Sequence, residues 1–185
     1  SPLRNQLSKP FIKKSKNLSQ KELSELTIFL WNQEEREFQY LAIDILRKNM
    51  KKFDSEIIVL FEYIIETKSW WDTVDLIASN LIGDYFNKHK DLTHNITDKW
   101  MNSNNMWLQR TAILFQLKYK DATDKDLLFR YINKLSHSKE FFIQKAIGWA
   151  LREYSKTCPD VVMDYVENNN LMPLSRREAL KIINK

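Results

Sequence analysis

The amino-acid sequence predicts an all-α protein. Glycine occurs only twice and proline four times in 185 residues, whereas β architectures need many of both at their turns. Apolar residues recur at intervals of three and four along most of the chain, which is typical of helices with one buried face. Short polar segments at 102–105, 136–138 and 168–170 separate these stretches. A chain of this length can also bury a substantial core.

The predicted helices follow one another closely. Residues 1–17 are expected to hold a short helix between polar ends, and Ser19 with Glu22 is the capping-box start of the next helix. Its apolar stripe is predicted to consist of Leu23, Leu26, Phe29 and Leu30. The following helix should bury Phe38, Leu41, Ile45 and Leu46. From the third helix onward, the predicted helices span 34–48, 54–67, 69–87, 93–102, 105–118, 124–135, 139–154, 158–168 and 174–183.

A period of about 35 residues favours an array of helix pairs. Tyr40, Asp75, Arg110 and Gln144 occupy matching positions separated by 35, 35 and 34 residues. A two-helix unit of that length is what α-solenoids stack, so we predict one domain of HEAT-like repeats over 1–185. Equivalent positions then project from one face, and Asp75 should neighbour Arg110 on the inner surface. The alternative is an irregular helical bundle.

Composition excludes several kinds of site. Gly83 and Gly148 are too far apart for a glycine-rich phosphate loop, and Cys158 alone cannot form a disulfide or a thiolate metal site. The three histidines show no close-spaced ligand pair, so we expect no metal and no cofactor. No apolar run approaches a membrane span. A formal charge of +5 permits a polyanionic partner without demanding one.

The segment 69–75, Ser-Trp-Trp-Asp-Thr-Val-Asp, is the strongest candidate for a functional site. Trp71 and Asp75 are four residues apart and therefore share one helix face. They border a predicted core stripe of Trp70, Val74, Ile77, Leu81 and Tyr85. By composition alone Trp71 is more often a core residue. Asp75 could equally be a solvated or capping carboxylate, although Asp72 suits that role better because it is nearer the helix start.

Two further residues have the chemistry of a nucleic-acid contact. Arg110 lies in an otherwise apolar helix, where an arginine either pairs with an acid such as Asp75 or receives a phosphate. Trp149 lies off its own helix's stripe, together with Phe142, Lys145 and Arg152. That stripe is formed by Ile143, Ala146, Ile147 and Ala150.

The segments 69–75, 109–110, 141–142 and 149–152, with 31–40, resemble the DNA alkylation repair family of AlkD-type DNA glycosylases. The resemblance spans nearly the whole chain and rests on uncommon residues at consistent separations. It implies a HEAT-like repeat fold whose concave face binds duplex DNA. It also implies excision of N3- and N7-alkylated purines, which are cationic and can be bulky.

The resemblance also implies residue roles. Trp71 and Trp149 match the two tryptophans that pack on the deoxyribose of the lesion, and Asp75 matches the catalytic acid. Arg110 matches the arginine at the DNA backbone, and the further DNA-binding matches are Phe142, Lys118 and Arg152. Family members usually carry a longer N-terminal region that helps to clasp DNA. We therefore expect a truncated N-terminus and weaker binding.

The predicted function is hydrolysis of the N-glycosidic bond by a cytoplasmic monomer that binds duplex DNA containing alkylated purines and contacts no membrane. One alternative is a catalytically silent DNA-binding relative. The other is a protein–protein scaffold, the commonest use of such arrays. A neutral or acidic concave face would favour the scaffold, whereas clustering of a set of basic residues on one side would favour nucleic acid; the set is Lys13, Lys14, Lys51, Lys52, Lys118, Lys120 and Arg152.

Overall fold

Helices and short connections make up the whole of residues 2–183, the part of the chain that the computed structural model describes. No strand occurs in those residues, and the predicted all-α fold is confirmed. The helices are α1 (Pro2–Ser15), α2 (Gln20–Trp31), α3 (Arg36–Asn49), α4 (Ile58–Glu66), α5 (Trp71–Leu76), α6 (Gly83–Lys88), α7 (Thr93–Met101), α8 (Met106–Leu114), α9 (Lys125–Leu135), α10 (Phe141–Tyr154), α11 (Pro159–Asn168) and α12 (Pro173–Ala179).

Polar side chains fix several helix starts. The predicted capping box is present at α2, where the backbone N–H of Ser19 donates to Glu22 Oε2 at 2.7 Å and that of Glu22 donates to Ser19 Oγ at 3.3 Å. Asn105 caps α8 and Asp124 caps α9 through side-chain oxygens that accept from backbone N–H groups of the first turn. Each cap satisfies a backbone donor that has no partner within its helix.

Several helices differ from the prediction, and two of them are shorter at one end: α4 begins at Ile58, and α12 ends at Ala179. Helix α1 is longer than the short helix expected and continues through Pro10. The helix expected at 69–87 is interrupted by a π-helical segment, Ile77–Ile82, between α5 and α6. Helix α8 ends at Leu114, and Gln116, just beyond it, exchanges side-chain hydrogen bonds with the backbone of Asp124 at the start of α9.

Long-range hydrogen bonds reveal the repeat. The indole of Trp31 donates to Thr67 O at 3.0 Å over a separation of 36 residues. Tyr131 OH donates to Asp98 Oδ1 at 2.7 Å over a separation of 33 residues. These separations match the predicted unit of about 35 residues, and the fold is an array of helical repeats.

The chain forms two compact units, Ser1–Lys90 and Asp91–Lys185. The first unit holds α1 to α6, and its fully buried core includes Trp31, Phe61, Ile64 and Leu81. The second unit holds α7 to α12 and buries Trp100, Phe115, Ile132 and Leu151. The single domain over 1–185, its concave face and the closeness of Asp75 to Arg110 stay predictions.

Two predicted core residues are on the surface instead. Phe29 is 63% exposed and Phe38 is 37% exposed, so both predictions were wrong. In α2 the buried face includes Thr27, whose hydroxyl is satisfied by Leu23 O at 2.7 Å, and Trp31 fills the large core position. A hydroxyl with a backbone partner can be buried at little cost, which hides it from a purely apolar pattern.

Candidate nucleic-acid interface

Trp71 and Asp75 lie on one face of α5, at its first residue and one turn later. The indole of Trp71 is 47% exposed, whereas Asp75 is only 6% exposed. Trp71 is therefore not a core residue, although composition favoured that reading. An exposed aromatic ring and a buried carboxylate thus share one helix face, which we call the Trp71–Asp75 face.

The first turn of α5 is tied to α3 through Asp72. Arg36 Nη2 and Tyr40 OH both donate to the Asp72 carboxylate, which also accepts from the backbone N–H of Thr73 at 2.7 Å. Burial, and secondarily this carboxylate, raise the pKa of Tyr40. Asp72 therefore takes the structural role expected of a carboxylate in the first turn.

Trp70 was predicted to belong to the core stripe, and that prediction was wrong. Its side chain is 45% exposed, while Val74, Ile77, Leu81 and Tyr85 are buried as expected. The physical reason is that Trp70 is the N-cap, with an extended backbone at φ −148° and ψ 150°. A residue outside the helical turn does not follow the helical period of the residues after it. Two neighbouring indoles are consequently exposed.

The π-helical segment begins two residues after Asp75. Ser79 Oγ donates to Asp75 O and Asn80 Nδ2 to Leu76 O, both at 2.8 Å. These side chains satisfy carbonyls where the hydrogen-bond ladder changes its spacing. Such segments are frequent at functional sites, and no feature of the sequence signals this one.

In the second unit, Arg110 is buried beside an aromatic pair. It is 3% exposed; its Nη1 donates to Phe142 O, and the guanidinium carbon is 5.9 Å from the Phe142 ring centroid. The ring centroids of Trp107 and Phe142 are 5.1 Å apart. A guanidinium in this setting orients Phe142 and carries its positive charge where solvent screens it little.

Trp149 is partly exposed on α10. The predicted stripe beside it is buried, namely Ile143, Ala146, Ile147 and Ala150. Lys145 and Arg152 are four residues before and three residues after Trp149, so the three side chains share a helix face. Lys145 and Arg152 are themselves 37% and 24% exposed. Lys118, beyond the end of α8, is exposed.

The structure adds two groups that sequence reasoning left out of the site. Glu178 on α12 forms ion pairs with Arg152 at 2.8 Å and with Lys145 at 3.1 Å. Hydrogen bonds from Lys181 and then Lys145 lower the pKa of Glu178 to about 2, against the opposing effect of burial. Its spacing had already placed Lys145 beside Trp149, although no role was predicted for it, whereas nothing in the sequence points to Glu178.

The predicted site residues therefore fall into two groups. Trp71 and Asp75 share a face in the first unit. Arg110 contacts Phe142 in the second unit, where Trp149 and Arg152 share a face of α10. Convergence of both groups on one nucleotide stays a prediction.

Cavities of about 260, 370 and 380 Å³ among the described residues are lined by other parts of the chain. Neither Trp71, Asp75 nor Trp149 contributes to them. Within residues 2–183, no helix combines the length and apolar character needed to cross a bilayer.

The whole chain is similar to proteins of DNA repair. A family model described as DNA alkylation repair enzyme matches residues 1–183. A solved structure described as a predicted DNA alkylation repair enzyme from Enterococcus faecalis is 36% identical, with a TM-score of 0.93, over 100% of this chain and 86% of that one. No curated protein matches the chain.

Two structures from Streptococcus mutans share the fold at lower identity. AlkD2 is 19% identical with a TM-score of 0.75, over 98% of this chain and 90% of that one. The protein smu.31 is also 19% identical, with a TM-score of 0.72 over 97% of each chain. The family match over nearly every residue, together with the 36% identical relative, shows that the chain belongs to the DNA alkylation repair enzyme family.

Proposed function

We propose that the protein is a DNA glycosylase that excises N3- and N7-alkylated purines from duplex DNA. The reaction is hydrolysis of the N-glycosidic bond, carried out by a monomer without a cofactor. Membership of the DNA alkylation repair enzyme family supports the substrate class. The single observation that carries the chemistry is the Trp71–Asp75 face, which pairs an exposed indole with a carboxylate one turn away.

The substrate determines which reacting group the enzyme must stabilise. Alkylation at N3 or N7 places a positive charge on the purine, so the base is already a good leaving group. The deoxyribose, by contrast, becomes oxocarbenium-like as the C1′–N bond breaks. An anionic group near C1′ therefore accelerates the reaction more than a proton donor would.

Asp75 supplies that anionic group in this mechanism. Its carboxylate stabilises the developing charge on the sugar and orients a water molecule toward C1′. The water oxygen bonds to C1′ while the electrons of the C1′–N bond neutralise the departing base. The proton lost by the water passes to the carboxylate, which leaves an abasic site and a neutral alkylpurine.

Trp71 and Trp149 pack on the same deoxyribose in this proposal. The electron-rich face of an indole attracts a cation more than a neutral ring, by about 0.5–2 kcal/mol for each well-placed tryptophan. Because that attraction grows as charge develops, it lowers the barrier rather than only tightening binding. The exposed ring of Trp71 and the partly exposed ring of Trp149 support these roles.

The second unit supplies the contacts to the phosphate backbone. Arg110 contributes charge beside Phe142, and a charge this deeply buried keeps a stronger field at the surface than an exposed one. Lys118 and Arg152 add exposed or partly exposed cations. Since the sugar and the backbone are held, the base need not enter a pocket, and bulky adducts are tolerated.

Asp75→Asn tests the proposal because it removes the charge and keeps the shape. We expect release of 7-methylguanine from methylated duplex DNA to fall by about 100-fold or more, while affinity for the duplex changes little. The matched control is Asp84→Asn, which alters an exposed carboxylate on α6 and should leave release unchanged.

Three outcomes would contradict parts of the proposal. Equal release by Asp75→Asn and the parent excludes the catalytic role of the carboxylate. A parent that binds duplex DNA but releases no base is a silent DNA-binding relative. A parent that binds no DNA would favour the protein scaffold.

A further inference from the structure

Glu178 is a buried carboxylate with three cationic partners. It is 4% exposed on α12. Its Oε2 accepts from Arg152 Nη1 at 2.8 Å, and its Oε1 is 2.7 Å from Lys181 Nζ and 3.1 Å from Lys145 Nζ. We call Glu178, Lys145, Arg152 and Lys181 the Glu178 cluster.

A glycine allows Glu178 to reach this place. A Cβ at Gly148 would stand 2.4 Å from Glu178 Cβ and 2.9 Å from Ser175 O, so any side chain there would push α10 and α12 apart. Ser175 Oγ donates to Gln144 O at 3.0 Å and fastens the two helices at the same level. The short helix separation brings one carboxylate within reach of two cations that are seven residues, about two turns, apart on α10.

The cluster carries a surplus of positive charge. The pKa of Glu178 is lowered to about 2, so this carboxylate is ionised at neutral pH and opposes three cations. An ammonium has three donors and a guanidinium five, and a bond to Glu178 uses only part of them. Lys145 and Arg152 also remain 37% and 24% exposed. The cluster therefore holds its cations in place without neutralising them.

Lys145 and Arg152 come one turn before and one turn after Trp149 on α10, and the charged ends of both side chains reach Glu178. Their spacing of four residues before and three residues after places them along the face that carries the indole. A phosphodiester backbone presents anions on both sides of each sugar. Two cations held at one carboxylate on the helix of a partly exposed aromatic ring suit the phosphates on either side of one deoxyribose.

We propose that Glu178 is a positioning residue that holds Lys145 and Arg152 to grip the phosphates flanking the nucleotide on Trp149. This inference rests on the proposed function and adds Lys145 as a DNA contact. Glu178 itself touches no DNA in this scheme. It acts by preventing two flexible cationic side chains from moving freely when DNA is absent, which reduces the entropy lost on binding.

The direction in which Glu178→Gln changes the affinity for DNA distinguishes a positioning role from a purely electrostatic effect. Glu178→Gln removes a negative charge close to DNA, so without a positioning role affinity should rise and its salt dependence should steepen. With a positioning role, affinity for an undamaged fluorescent duplex should fall about tenfold at 0.1 M salt. The slope of log K against log salt should become smaller by about 1 to 2.

The matched control is Glu153→Gln. Glu153 is on α10 with Lys145 and Arg152 and pairs with Lys156 at 2.7 Å, but its side chain is 32% exposed and that of Lys156 48%. Loss of the same charge there should leave the affinity the same or slightly higher. Thermal unfolding of each variant fixes a temperature at which all are folded during the binding measurement.

Lys145→Gln and Arg152→Gln keep the inference testable if Glu178→Gln does not fold. Each should reduce the salt slope by about 1 while Glu178 stays in place. Unchanged slopes in both, or tighter binding by Glu178→Gln, would overturn the inference. Base release by the parent is measured in parallel. A parent that binds duplex but releases no base overturns the proposed activity and leaves this inference standing.

Discussion

The first unit and the second unit each present a tryptophan on a helix face, but with opposite charges beside it. In the first unit Trp71 is followed one turn later by the carboxylate of Asp75. In the second unit Trp149 lies between the cations Lys145 and Arg152. Under the proposed function, the first unit supplies the carboxylate for the cationic sugar, the second unit supplies the cations for the phosphates, and each unit supplies one indole to the sugar.

The two helices that carry Trp71 and Trp149 each form an ion pair with a neighbouring helix. The carboxylate of the pair lies on the tryptophan helix in the first unit and on the neighbouring helix in the second. Asp72 is on the tryptophan helix α5 and its cationic partner Arg36 is on α3. Glu178 is on α12 and its cationic partners are on the tryptophan helix α10. An ion pair therefore holds each tryptophan helix against its neighbour. The charge beside the tryptophan is negative in the first unit and positive in the second.

The largest effect is expected from Arg110→Ala. Its guanidinium is buried and donates to Phe142 O, so truncation should leave a cavity and an unsatisfied carbonyl and lower the free energy of unfolding by about 3–5 kcal/mol. Urea denaturation measures this loss. Arg130→Ala is the control, because its ion pair with Asp98 is about half exposed and should matter by less than about 1 kcal/mol.

The same variant tests the phosphate role of Arg110. At a temperature where it is folded, Arg110→Ala should bind duplex more weakly, with a salt slope smaller by about 1. An unchanged slope would limit Arg110 to a structural role. The grip of the second unit would then depend on its remaining cations.

Acid should weaken α10–α12 packing through Glu178. Its pKa is about 2 in the folded protein against an ordinary 4.5, so its contribution is complete above pH 4.5 and is lost as pH falls through 2. The full contribution is at most about 3 kcal/mol. Urea unfolding at pH 7, 4 and 2.5 measures it, and Glu178→Gln should lose less stability over this range than the parent. Equal pH dependence of the two proteins would contradict the assignment.

Local patterns in the sequence predict much of this structure, and tertiary contacts explain where they fail. The Ser19–Glu22 capping box and the Ile143–Ala150 stripe involve residues within one helix, so helical spacing alone identifies them. Trp70 escapes that rule because the helix begins one residue later. Glu178 meets its partners on α10 only after α12 has packed against that helix. Gly148 indicates that another part of the chain comes close to α10, but the sequence does not show which part.

The candidate site is divided in the same way. Trp71 and Asp75 are four residues apart, so the sequence places them on one face. Their contrasting exposure depends on how α5 packs, and the π-helical turn that follows Asp75 leaves no compositional trace. Sequence therefore predicts which residues share a helix face better than it predicts how accessible each one is.

A smaller effect should separate the two exposed indoles of the first unit. Trp71→Ala removes the ring on the Asp75 face and should slow release of 7-methylguanine by about 2- to 30-fold, which corresponds to about 0.5–2 kcal/mol. Trp70→Ala removes an equally exposed ring that precedes the helix. It should slow single-turnover release less. A greater loss in Trp70→Ala would transfer the sugar contact to the N-cap residue.

The smallest effect is expected from Lys118, and it tests whether the second unit grips DNA at discrete points. Lys118→Gln removes an exposed cation and should reduce the salt slope of duplex binding by at most about 1. Lys134→Gln is a matched control, since Lys134 is also exposed and belongs to the same unit. If Lys118 contacts a phosphate, the salt slope should decrease more in the Lys118 variant than in the Lys134 variant. Equal losses would mean that both act only through the general positive field, leaving the α10 cations as the discrete grip.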